Sequence, residues 1–339
     1  MRLLKAFSCL FFIIVLAGFF DAASAKERKV QITVQVNLNA PADAKNSKIW
    51  IPYPVSDKNQ DITDISINGN STKTAVSRES AYGDNMLYAE WKDALKEKTL
   101  TYTFTIIRKE AATKNFPKKE LPFSKDEFKE YLMPTSQVPT DGKVKEYADK
   151  ITKGKKTNLA KARAIYDWVV DNMHRDPNVR GCGLGEVETL LETKGGKCGD
   201  IHSVFIALAR AAGVPARDVW GIRIPKGKEG DMTKAQHCWA EFYLPGYGWV
   251  VVDPADVRKD ILEQKLTIEQ AKPIREYFFG AVDESRIAFG RGRDLVLNPP
   301  QKGGPLIYFM YPYAEADGKT LNEDLFGFNI GYKISFKEM

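Results

Sequence analysis

From Cys198 to Ala212 the chain sets Val204, Phe205, Leu208 and Ala209 at helical spacing, enters through Gly195-Gly196-Lys197 and stops at Gly213 with Pro215 beyond. Apolar residues three and four apart commit such a run to a helix with a buried face, and glycine followed by proline ends it. The next segments change period. Arg217 to Arg223, His237 to Leu244 and Trp249 to Asp253 read as strands, the last two joined through Pro245-Gly246-Tyr247-Gly248. A helix earlier in the chain has Asn158 in position to cap it and Leu159, Ala162, Ile165, Tyr166, Val169, Val170 and Met173 along one face. Helices first and antiparallel strands afterwards restrict this region to an α+β core, with helices packed on an antiparallel sheet.

Upstream the pattern is that of strands. Val30, Ile32, Val34, Val36 and Leu38 alternate with polar residues, as do Leu100, Tyr102, Phe104 and Ile106, with shorter strands expected at 48–53, 61–67 and 86–91. Turn pairs such as Asn68-Gly69 and Gly83-Asp84 separate them, so residues 26–108 are expected to form a small β-sandwich-like domain. Residues 109–157 are a Lys- and Pro-rich connector with short helices near 125–131 and 143–152. Residues 158–260 form the core, and 261–339 an α/β extension that completes or flanks it, with a strand-like stretch from Phe326 to Phe336.

Residues 1–25 read as an export signal: Arg2 and Lys5, an apolar stretch from Ala6 to Phe20, then Ala23-Ser24-Ala25 before Lys26. The apolar part is short for a membrane span, so a periplasmic or extracellular chain with no integral span after signal removal is expected. A net charge of +6 comes from 50 basic and 44 acidic residues without a dense basic block, which argues against a nucleic-acid partner. Beyond the signal stand three cysteines, Cys182, Cys198 and Cys238; an odd count leaves either one bridge and a free thiol, or no bridge.

Cys198 has the setting a nucleophile needs. It opens a helix, where unpaired N–H groups and the dipole lower a thiol pKa, and Gly199 leaves room beside the sulfur. Its own N–H is a candidate oxyanion donor. On the strand that follows, His237 shares a face with Trp239, Glu241 and Tyr243, while Cys238 faces the other way with Ala240, Phe242 and Leu244, as a core residue. Asp253 ends the next strand after Trp249-Val250-Val251-Val252, where a buried carboxylate needs a partner such as His237. Asp256 competes for that role, but Pro254 separates it from the strand register. Cys198 and His202 stand four apart on one helix face, yet no CxxC or HExxH spacing accompanies them and no metal or other cofactor is implied.

Lys-Cys-Gly-Asp at 197–200, the helix ending in Ala-Gly-Val-Pro-Ala-Arg at 212–217, His-Cys-Trp-Ala-Glu from His237, and Gly248-Trp249 to Asp253-Pro254 together resemble the transglutaminase-like superfamily. The resemblance covers about 158–256. It implies a papain-like core with Cys198 as nucleophile, His237 as general base and acid, and Asp253 orienting the imidazole. It also implies an acyl-transfer enzyme that forms a thioester with a peptide or protein substrate and passes the acyl group to water or to an amine. Hydrolysis of envelope or extracellular peptides is the expected outcome; protein cross-linking, or a binding module without turnover, are the alternatives. The family's second oxyanion donor has no aligned counterpart, with Tyr166, Trp168 and Gln236 all in view. Cys182, between Gly181 and Gly183, is either a plain loop cysteine or a redox cap for Cys198.

Overall fold

Alternation along Glu27–Asn37 turns Val30, Ile32, Val34 and Val36 to one side, where all four are buried. Its antiparallel neighbour Thr99–Lys109 buries Leu100, Tyr102, Phe104 and Ile106 against them. The structure is a computed structural model that describes residues 26–92, 94–117 and 119–339, so the export signal expected over 1–25 lies outside the described residues. One sheet runs in the order Glu229–Asp231, Tyr332–Glu338, Glu27–Asn37, Thr99–Lys109, Gln60–Gly69. The second runs Lys319–Thr320, Tyr313–Ala316, Asn46–Pro52, Asn85–Lys92, Lys73–Arg78. Ile49, Ile51 and Leu87 of the second meet Val30, Ile32 and Phe104 of the first in one apolar layer.

Three strands near the C-terminus belong to this sandwich, Lys319–Thr320 at the edge beside Tyr313–Ala316. Tyr332–Glu338 pairs antiparallel with Glu27–Asn37, and Tyr313–Ala316 pairs with Asn46–Pro52. Sequential reading placed 261–339 against the core, and its strand Arg286–Gly290 does complete the core sheet; the end of the segment returns to the first strands, where it pairs with edges left open there. The strand signal also lies later than expected, starting at Tyr332 rather than Phe326.

The core is the α+β arrangement read from the periodicity. Every residue from Cys198 to Arg210 is buried in the helix Cys198–Ala211, which packs on the strand Gln236–Leu244 and is surrounded by Gly142–Ile151, Asn158–Asn172 and Val187–Thr193. The helix ends as expected at Gly213, in left-handed conformation at φ 78°. The four-stranded antiparallel sheet has the order Gly248–Val252, Gln236–Leu244, Ala216–Arg223, Arg286–Gly290. Its last strand escaped the sequence reading. Ile222 and Ile287 of this sheet reach into the sandwich layer, so the two parts share apolar packing.

Two local details differ from expectation. Thr157, not Asn158, caps the helix Asn158–Asn172, its side chain accepting from the Ala160 N–H at 3.2 Å. The N–H groups of Asn158 and Leu159 donate instead to the Glu120 carboxylate, at 2.8 and 2.7 Å. Asp253 lies one residue beyond the strand and caps the helix Pro254–Gln264, for which Pro254 is a favourable first residue. No helix among the described residues is long and apolar enough to cross a membrane.

Candidate active site

Lys194 closes the helix Val187–Thr193 at φ 62°, and Gly195-Gly196 pairs in parallel with His174-Arg175, which delivers the chain to the start of the next helix at Cys198. Asp200 locks that first turn by accepting from the Lys197 and Gly185 N–H groups, both at 2.9 Å. Its carboxyl is pushed up to about 6, chiefly by burial. Glycine is required around it. A Cβ on Gly183, at φ 87°, would lie 2.0 Å from the Asp200 carboxylate, and one on Gly199 would lie 2.7 Å from the Cys182 carbonyl oxygen.

The three residues read as a triad come together. Cys198 and His237 line one cavity of about 680 Å³. His237 Nε2 is 2.8 Å from Oδ2 of Asp253, which leaves Nδ1 free to serve the sulfur across the cavity that both side chains line. Asp256 stands farther off, 3.7 Å from His237 Nε2. Asp253 is completely buried and receives four donors: His237, His202 at 3.0 Å, the Asp256 N–H at 2.8 Å and the guanidinium of Arg286. Such saturation is what allows a carboxylate to remain ionised away from water.

His202 and Arg286 were not singled out for this role. His202 turns Nε2 to Asp253 and Nδ1 to the Cys238 sulfur at 3.4 Å, so it is a buried link and not half of a metal pair. Its four-residue spacing from Cys198 was visible; its partner was not. Arg286 sits on the strand that escaped detection, fully buried among Asp253, Asp256 and Asp283. Metal-type ligand atoms of His237, Asp253 and Asp256 converge within 4.8 Å, but the Arg286 guanidinium already bridges the two carboxylates, with Arg223 on Asp256 as well, and these cations would repel a metal ion there.

The three cysteines among the described residues, Cys182, Cys198 and Cys238, are free and buried, so no bridge joins Cys182 and Cys238. Cys238 faces away from His237 as the alternation requires, yet it still reaches the Cys198 sulfur, because the cysteine helix packs on that second face of the strand. Cys182 donates to the Gln236 carbonyl oxygen at 3.3 Å and accepts from the Tyr311 hydroxyl at 3.3 Å.

The neighbouring Cys182 and Cys238 side chains first, then His237, hold the Cys198 thiol well below the usual range against the opposing effect of burial. The other two thiols are raised, Cys182 through its bond to Cys198 and by burial, Cys238 by burial first. For His237, burial and the Arg223 charge push downward, but Asp256 and Asp253 outweigh them and the imidazolium is favoured. Burial would raise the Asp253 carboxyl; Arg286, His237 and His202 hold it well below. The directions at Cys198 and His237 both favour a thiolate beside an imidazolium.

Two oxyanion donors suggest themselves. Among the described residues the Cys198 N–H donates to no protein acceptor, and both polar atoms of the buried Gln236 side chain, which lines the same cavity, lack a partner. Tyr166 is excluded: its hydroxyl donates to the Arg275 carbonyl oxygen at 2.8 Å. Trp168 stacks edge-on against Tyr147, under the Lys194 ammonium.

Residues 145–254 match the family model described as the transglutaminase-like superfamily. A protein of Haemophilus influenzae (strain Rd) with no assigned function is 40% identical over 322 residues, covering 86% of this chain and 87% of its own length. The chain belongs to the transglutaminase-like superfamily, a family of thiol-dependent enzymes. Its fold is similar to that of a proposed cysteine protease from Cytophaga hutchinsonii, with a TM-score of 0.53 at 17% identity, over 92% of this chain and 99% of the other. The Bacillus subtilis protein YebA is 26% identical over 258 residues, 70% of this chain and 32% of that protein.

Proposed function

We propose that this protein is a cysteine amidohydrolase acting on peptides of the cell envelope or the extracellular space, with Cys198, His237 and Asp253 as its catalytic triad. The single observation that carries the reading is that the Cys198 sulfur and the His237 imidazole line the same cavity, with Asp253 hydrogen-bonded behind the imidazole at 2.8 Å. In the proposed cycle the Cys198 thiolate attacks an amide carbonyl, forming an S–C bond, while the Cys198 N–H and the Gln236 carboxamide receive the negative oxygen. The His237 imidazolium then gives its proton to the departing amine as the C–N bond breaks, leaving a thioester. Water attacks the thioester with His237 taking its proton, and the carboxylic acid and thiol are released. Asp253 stays ionised throughout and keeps the imidazole aimed.

Water as the acceptor is favoured by the size of the cavity, which is open enough to admit it. Export rests on the pattern of residues 1–25, and a mature N-terminus at or near Lys26, read by Edman sequencing of secreted protein, is the expected result. For the chemistry, envelope peptides are incubated with the chain beginning at Lys26 and products are read by mass spectrometry. Hydrolysis should fall more than about a thousandfold in Cys198→Ala. Turnover retained in Cys198→Ala, or a fluorescent amine incorporated in preference to water, would count against the reading.

A further inference from the structure

The cavity that holds Cys198 and His237 is lined by six cationic side chains, Arg175, Lys197, Arg223, Lys226, Lys234 and Lys259, and by only two carboxylates, Asp283 and Glu284. Over the whole chain basic and acidic residues are nearly balanced, 50 against 44, so the excess is a property of this cleft. Internal pairing does not cancel it. Arg223 is bound to Asp256 and Asp283 to Arg286, which removes one charge of each sign from the cleft. Lys259 faces Glu263 at 3.8 Å, a solvated pair of small consequence. Among the described residues Arg175, Lys197, Lys226 and Lys234 have no carboxylate within 4 Å. Glu284 alone opposes them.

We infer that the acyl donor is an acidic peptide, carrying carboxylates beside the amide that Cys198 attacks, and that Arg175 and Lys226 select it. The inference rests on the proposed role of Cys198 as nucleophile and adds its substrate class. Lys197 adjoins the cysteine in sequence, Arg175 comes from the strand paired with Gly195-Gly196, and Lys226 and Lys234 lie on the exposed segment between the strands Ala216–Arg223 and Gln236–Leu244. Cations therefore enter the lining of the cavity from several separate segments of the chain. Clefts lined by one sign of charge concentrate field lines and draw in oppositely charged ligands, an effect weakened by salt. A neutral peptide gains nothing from this arrangement, and a basic one is repelled.

The test uses two alkylating agents of nearly equal size, iodoacetate and iodoacetamide, each of which forms an S–C bond with loss of iodide. Modification of Cys198 is followed by peptide mass spectrometry in the chain beginning at Lys26. Because the His237 imidazolium also attracts an anion, the informative quantity is the change in the iodoacetate-to-iodoacetamide rate ratio in Arg175→Gln, Lys226→Gln and the double variant. That ratio should fall roughly two- to threefold per charge removed and decline with added salt. Tetraglutamate should slow iodoacetamide modification where tetraglutamine does not, and the double variant should lose the protection. A ratio unchanged across the variants, or equal effects of the two peptides, overturns the acidic-substrate inference while leaving the nucleophile intact. Failure of both reagents to modify Cys198 sinks the proposed function, and this inference with it. Unchanged melting temperatures confirm that the variants are folded.

Discussion

The chemistry of Cys198 depends on groups that differ in type and in distance along the chain. Gly195-Gly196, the helix start and Gly199 were legible because they are neighbours, and His237 was legible because strand alternation sets its face. His202 and Arg286 were not, since their importance comes from Asp253, which only folding brings to them. One expected outcome follows from the thiolate–imidazolium pair: the iodoacetamide rate at Cys198 should be close to its plateau at neutral pH, where an ordinary thiol with pKa near ~8.5 would still be rising. Stopped-flow alkylation against pH reads this directly. Gln236→Ala should lower kcat about a hundredfold or more with little change in KM, as expected for a donor that acts on the transition state. Asp200 gives a stability signature. Its carboxyl is raised to about 6, so between roughly pH 4 and 6 the folded protein holds a proton that the unfolded chain has released, and stability falls as pH rises through that interval. His237, raised in the fold, contributes stability that is complete below about pH 6.5 and lost as pH climbs through its folded value. Asp253, depressed, contributes above about pH 3.9 and loses that contribution as pH falls through its folded value. Urea unfolding of Asp200→Asn should lack the fall in stability that this group gives the parent as pH rises from about 4 to 6.

At the scale of elements, the helices Gly142–Ile151, Asn158–Asn172 and Cys198–Ala211 and the first three core strands were readable because periods of 3.6 and 2 are local properties, whereas the helices Val187–Thr193 and Pro254–Gln264 were not assigned. Their ends were less so. Thr157 caps a helix assigned to Asn158, and Asp253, read as the end of a strand, is the cap of the helix beyond it. Thr157→Ala should cost about 1 kcal/mol in thermal unfolding. The contact between the cysteine helix and the core sheet depends on a buried pair that no local pattern announced. Arg293 donates to both Asp218 oxygens at 2.7 and 2.8 Å and to the Ser203 hydroxyl at 2.7 Å, with pair side chains that are 2% and 1% exposed. Removing one partner leaves a buried charge alone, so Arg293→Met should destabilise by about 3–5 kcal/mol, measured by chemical denaturation.

Across the whole molecule the N- and C-terminal segments form one sandwich. Tyr332, Ile334 and Phe336 fill the layer begun by Val30, Ile32 and Val34, and the same layer takes Ile222 and Ile287 from the core sheet. Deleting 332–339 should therefore unfold more than a tail: it opens the edge of Glu27–Asn37 and removes three core side chains. Circular dichroism should show loss of cooperative melting, and a truncated chain that melts like the parent would contradict this account.

Several properties of this protein were settled by sequence alone: an α+β core, strands before it, and a cysteine, a histidine and an aspartate in an order that marks the transglutaminase-like superfamily. These are matters of residue type, spacing and period, all of which are expressed over a few neighbours. Tertiary structure decided the rest: that Arg286 and His202 hold Asp253, that two buried thiols support a third, that the far terminus completes the first sheet, and that scattered lysines and arginines line the cavity that holds Cys198. Each of these joins residues tens to hundreds of positions apart, and such contacts are set by the packing of the whole chain, because no short segment contains both partners.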